Sequence, residues 1–172
     1  MRKIVLVLGI LLVIAMVLPA MAAPLTPKIV QKVTGGGTYT FYDGVKWTKA
    51  FTAQMLSDGT VKGEWQAQSP SPGPGTWHAD VTELITGTYG RGQMEGKTGA
   101  LVEGVIQSAD DPTLVGTTMC MFLVDNGQGK KAAPDKIFGA YNGDIAFCSE
   151  LYDLGAPWYD FQGNIQVTVP NI

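Results

Sequence analysis

Residues 45–55 read Val45-Lys46-Trp47-Thr48-Lys49-Ala50-Phe51-Thr52-Ala53-Gln54-Met55. Val45, Trp47, Phe51, Ala53 and Met55 share one parity, and Lys46, Thr48, Thr52 and Gln54 share the other. A strand sends alternate side chains to opposite faces, whereas a helix repeats every 3.6 residues. The stretch is therefore a half-buried β-strand. Lys49 breaks the pattern: it is a charged side chain on the apolar face.

Downstream, Ser57-Asp58-Gly59 turns the chain. Val61, Gly63, Trp65 and Ala67 then alternate with Lys62, Glu64, Gln66 and Gln68, so the two runs form a hairpin about an Asp-Gly turn. Trp47 and Trp65 sit on its apolar faces and are expected in the core. Upstream, Asp43-Gly44 marks another tight turn. It is preceded by a short strand at 38–42 and a flexible entry, Thr34-Gly35-Gly36-Gly37. Residues 23–33 hold two prolines and no pattern, and read as an exposed lead-in.

The same alternation recurs to the C-terminus. Residues 69–75 (SPSPGPG) lack the donors for a sheet and form a loop. Strands are expected at 77–86, 87–93 and 100–107, with glycines at the turns. Residues 117–124 (TTMCMFLV) are apolar on both faces, which suits a strand covered on both sides. Polar residues 125–131 turn the chain into a strand at 135–141, and Asn142-Gly143 turns it into another at 144–149. An aromatic loop, 150–159, precedes a last strand on which Ile165, Val167 and Val169 alternate with Asn164, Gln166 and Thr168. No stretch of 11 or more residues after the leader carries a helical period. About 8–10 short strands with Gly and Pro turns predict an all-β fold, a single antiparallel sandwich or barrel spanning residues 34–172.

The chain opens with Met1-Arg2-Lys3, an apolar run from Ile4 to Leu18, Pro19, and Ala20-Met21-Ala22. A basic end, an apolar core and small residues before a cleavage point make a secretory signal peptide, expected over residues 1–22. The other reading is a retained anchor, since the run to Ala23 has about the 20 residues that a membrane span needs. Either way the domain is extracytoplasmic, secreted or in the cell envelope. Cleavage removes two of the 12 basic residues and none of the 15 acidic ones, leaving a net charge of −5. Nucleic acids and anionic lipids need a basic footprint, so neither is an expected partner. The remaining membrane contact is the leader itself.

Cys120 and Cys148 are the only cysteines. In an oxidising compartment an even pair predicts one disulfide; two buried thiols are the alternative. With one histidine they do not make a four-ligand zinc site without carboxylates.

Four landmarks occur in order: Val33-Thr34-Gly35-Gly36-Gly37, Gly59-Thr60-Val61-Lys62-Gly63, Val124-Asp125-Asn126-Gly127, and Gly163-Asn164-Ile165-Gln166-Val167. The set resembles a group of small secreted prokaryotic all-β proteins of unknown function. The resemblance covers nearly the whole chain after the leader. It implies a compact exported β domain and supplies no catalytic residue. The aromatic loop from Tyr152 to Phe161 departs from that pattern.

Catalytic chemistry finds little purchase. His78 is the sole histidine, and no Gly-x-Ser-x-Gly accompanies it. It reads as a solvent-facing strand residue. Glu64, Glu83, Glu95, Glu103 and Glu150 offer pairs for a carboxylate-dependent hydrolase, without a motif that selects one. Asp125-Asn126-Gly127-Gln128-Gly129 lacks the spacing and terminal Glu of a calcium loop and reads as a polar turn. No metal or cofactor is expected. Tyr152, Trp158, Tyr159 and Phe161 are the candidate ligand-binding residues, because rings on a loop suit stacking against a glycan or a protein. The expected function is a non-enzymatic secreted binding or cell-envelope interaction module. The alternatives are an extracellular hydrolase and a barrel carrying a small apolar ligand.

Overall fold

The computed structural model describes residues 26–70, 75–90, 94–129 and 132–170. The expected signal peptide, residues 1–22, lies outside them. Eight antiparallel strands run in chain order: β1 (Ile29–Thr40), β2 (Lys46–Leu56), β3 (Val61–Gln68), β4 (Thr76–Thr88), β5 (Thr98–Ala109), β6 (Thr118–Asp125), β7 (Asp135–Tyr141) and β8 (Tyr159–Thr168). Each pairs with its neighbour, and β8 returns to β1, so the sheet is a closed up-and-down barrel. Closure removes both sheet edges, and with them the unpaired backbone groups that invite aggregation. Eight strands enclose a space that side chains fill or that takes one small ligand.

The alternation that defined the β2–β3 hairpin now sorts inside from outside. Trp47, Phe51 and Ala53 of β2 and Trp65 and Ala67 of β3 point into the lumen with Trp77, Met121 and Phe161. Lys49, on the same parity, is drawn inside with them and is 5% exposed. Along β1, Gly35 and Gly37 take lumen positions where side chains would meet the rings of Phe51 and Phe161. Lys49 apart, the lumen is apolar, and the wall over β1–β4 is polar, the inverse of a membrane barrel.

A second, smaller core lies outside the barrel. The helix α1 (Ile145–Asp153) packs on β5 and β6. It buries Leu101, Cys120, Phe122, Phe138 and Cys148, with Tyr89, Tyr152 and Trp158 partly buried around them. This accounts for β6: Met119, Met121 and Leu123 face the lumen while Cys120 and Phe122 face the helix. Cys120 and Cys148 form a disulfide that fastens α1 to β6.

Several expectations about elements are corrected. Residues 144–149 are not a strand but the start of α1. Asp144 caps it, accepting the Phe147 N–H at 2.8 Å, and Glu103 Oε2 accepts the Ile145 N–H at 2.9 Å. Ile145, Cys148, Leu151 and Tyr152 make its packed face, an apolar helical spacing that nine residues are too few to advertise. The chain leaves the helix at Gly155, whose φ is +78°. The lead-in is shorter than expected: β1 begins at Ile29, and Val33 is fully buried. One strand, β4, replaces the first of two expected short strands and takes in Gly87 and Thr88; no strand follows before Thr98 among the described residues.

Candidate binding wall

The residues facing outward from β8, β1, β2, β3 and β4 fall into register. Gln162 lies opposite Thr38, Thr38 opposite Thr48, Thr48 opposite Gln68, and Gln68 opposite Thr76. In the next row Asn164 is opposite Gly36, then come Ala50, Gln66 and His78. Five strands at about 4.8 Å spacing make each row about 19 Å wide. These ten positions carry no carboxylate, ammonium or guanidinium. In the third row Gln166, Thr34 and Thr52 lead to Glu64 and Asp80, so charge appears only at its β3–β4 end.

Two residues in the middle of the wall, Gly36 and Ala50, lack side-chain bulk. At Gly36 an added Cβ would meet nothing closer than the Lys49 carbonyl oxygen at 3.9 Å. Ala50 is its neighbour on β2. Beside Ala50 lies a groove of about 340 Å³, lined by Gly35, Ala50, Phe51, Thr52, Glu64, Gln66 and His78. A second of about 380 Å³ follows the first row, bordered by Thr38, Lys46, Thr48, Gln68 and Pro70. Beyond β8 a third, about 330 Å³, lies between Gln162–Asn164 and the connection from β6 to β7. There the Gln128 amide donates to Asn164 Oδ1 at 2.7 Å. Each Gln and Asn amide both donates and accepts, and each Thr hydroxyl does the same. Between Lys46 at one border and Glu64 and Asp80 at the other, the wall therefore offers two-way hydrogen bonding from amides and hydroxyls.

That surface is held at its β8 side by two aspartates. The β7–β8 ladder has only three pairs, Asp135↔Phe161, Lys136↔Asp160 and Ile137↔Tyr159. Past it, Asp135 Oδ2 accepts the Ile165 N–H at 2.7 Å and Asp125 Oδ2 accepts the Val167 N–H at 3.1 Å. Their other oxygens accept the N–H groups of Asn126 and Gly127. Burial holds the Asp135 carboxyl above the usual range, the two backbone N–H groups pull it back, and the charge of Asp125 adds to the rise. The Val124–Gly127 turn thus binds the Gly163–Val167 strand. Asp125 is occupied by backbone donors, in keeping with a polar turn.

The four aromatic candidates do not form one platform. Tyr152 and Trp158 belong to the outer core: Tyr152 stacks on Phe122 with centroids 5.2 Å apart, and Trp158 meets it edge-on at 6.0 Å. Phe161 is 1% exposed inside the lumen. Tyr159 stands at the end of the barrel, 5.7 Å from the Tyr39 ring and 5.0 Å from Phe41. Burial raises its phenol pKa, and Tyr42 and Asp43 nearby add to the shift. His78 faces outward, half-buried, opposite Gln66 and Ser108. Among the described residues no group of three His, Cys, Asp or Glu side chains is placed to hold a metal ion.

Sequence reasoning passed over the wall because each of its residues is ordinary for a solvent face. The signal was the composition of that face: Thr, Gln and Asn in place of the Lys and Glu that usually fill it. No known protein family, curated protein or solved structure matches this chain.

Proposed function

We propose that this is an exported, non-enzymatic binding domain that holds a neutral glycan against the outer wall of β8–β1–β2–β3–β4. The observation that carries the reading is the register of two rows rich in Thr, Gln and Asn, without carboxylate or ammonium, across five strands, with a groove beside Ala50. A glycan presents hydroxyls that donate and accept at once, and amides and hydroxyls answer both ways without the desolvation cost of charged groups. A closed barrel holds the rows rigid, so little conformational freedom is lost on binding. The leader peptide supports an extracytoplasmic setting, where envelope and environmental polysaccharides are the abundant neutral polymers. The ordered landmarks and their resemblance to small secreted β proteins agree with that setting.

The test is retention of the mature protein on insoluble polysaccharides and retardation in gels containing soluble ones. Binding to a neutral polymer is expected. Ala50→Trp fills the groove, and the double change Gln66→Ala and Gln68→Ala removes two amides; both are outward and spare the core. Each should weaken retention about tenfold or more, the loss expected for one or two hydrogen bonds in a desolvated site. No retention on any neutral polymer, or retention indifferent to both changes, overturns the reading.

A further inference from the structure

Among the described residues Lys49 has no charged partner inside the barrel. Its side chain is 5% exposed, and its ammonium lies 3.9 Å from Met121 Sδ, a weak acceptor. Around it stand Tyr39, Trp65 and Trp77, with ring centroids 5.5, 5.9 and 5.5 Å from Nζ. Trp65 is 1% exposed, and its indole Nε1 finds no acceptor among the described residues. The lumen thus holds two buried donors on neighbouring side chains, and among the described residues neither has a charged acceptor.

We propose that this part of the lumen is a binding site for a small monovalent anion, seated against Lys49 Nζ with Trp65 Nε1 as second donor. The wall and its ligand play no part in this argument. A charge buried without a counter-charge is costly, and it either sheds its proton or acquires a partner. Desolvation does lower the Lys49 pKa, to about 8, and at that value most of the amine is still charged at neutral pH. The three rings ease the cation through their negative faces, without satisfying its N–H groups. What the cage lacks is an acceptor bearing negative charge. The occupant has few atoms, because Phe51, Phe161 and the tryptophans already fill the barrel. Met121 is the adaptable side chain beside it, and a turn of its thioether releases the weak contact that now faces the amine.

Iodide and bromide are the probes. Iodide is titrated at constant ionic strength against sulfate while tryptophan emission is followed, since a bound iodide lies among the Trp65 and Trp77 rings. Saturable quenching is expected in the wild type and in Lys49→Arg. In Lys49→Met it should weaken about tenfold or more, the equivalent of one charge-assisted hydrogen bond. Bromide in crystals of the wild type should give an anomalous peak inside the barrel next to Lys49, a measurement that needs no variant to fold. Linear, collisional quenching of equal slope in the wild type and Lys49→Met, or bromide confined to the outer surface, overturns the proposal.

Discussion

Asp135 takes the backbone N–H of Ile165 at 2.7 Å, although the two residues are not paired in any ladder. It stands at the first position of β7, where that strand runs out alongside β8. Its carboxylate takes an N–H of β8 beyond the last β7–β8 pair, and Asp125 repeats the device for Val167. Two side chains thereby extend the barrel's shortest seam. Removing the Asp135 carboxylate strands the N–H groups of Ile165 and Asn126, each costing about 1–3 kcal/mol when left unsatisfied. Asp135→Ala should lower unfolding free energy in urea by about 2–5 kcal/mol. Amide exchange should rise first at Ile165.

Lys49 gives stability a pH dependence of known sign. Its folded pKa is depressed to about 8 from 10.5, so the native protein binds fewer protons than the unfolded chain between those values. Stability from this group is therefore fully present above the unfolded pKa and lost as pH falls through the folded one. In buffer without added anion, the wild type should gain up to about 3 kcal/mol between pH 7 and 10.5 relative to Lys49→Met. At pH 7 the methionine variant should be the more stable protein, because an unpaired buried charge is gone and the apolar volume is kept. Urea unfolding of both proteins across that range measures the difference.

Gly35 and Gly36 are neighbours in β1 and should respond oppositely to alanine. A Cβ at Gly35 overlaps the Phe51 ring and comes within 2.9 Å of the Asn164 carbonyl oxygen. Gly35→Ala should cost about 1–3 kcal/mol through overpacking. Gly36 faces outward with room for a Cβ, so Gly36→Ala should add about 0.4–1 kcal/mol by narrowing the unfolded ensemble. Thermal melts of the two variants, read side by side, check the inward and outward assignments.

The disulfide closes a loop with a sequence separation of 28 residues. The chain-entropy model values such a crosslink at about 3–4 kcal/mol. A Cys120→Ser, Cys148→Ser protein should lose that much in urea. The loss should fall unevenly: α1 is tied to the barrel by the outer core and this bond, whereas the strands close on each other. Amide protection in 145–153 should drop well before that of β1–β3.

Much of this architecture was legible beforehand from local chemistry. The parity of Trp47, Phe51 and Ala53 against Thr48 and Thr52 sufficed to assign β2 and its two faces. Asp43-Gly44 and Asp58-Gly59 located the turns. Lys49 was already visible as a charge on the wrong face, and the double apolar character of 119–124 already required a cover on each side of β6. Period two is written into consecutive residues, so it survives without any tertiary partner.

Three matters waited on the three-dimensional arrangement, for a common reason: each depends on residues distant in the chain. The helix at Ile145–Asp153 is too short to show its period and is held by Glu103, Phe122 and Cys120 from other strands. Rings close in sequence were divided among the lumen, the barrel end and the outer core, because alternation sends Phe161 inward while the chain carries Tyr152 and Trp158 onto the helix side. The wall exists only once β8 meets β1, since register sets Gln162, Thr38, Thr48 and Gln68 in line, and register is a property of paired strands that no single strand contains.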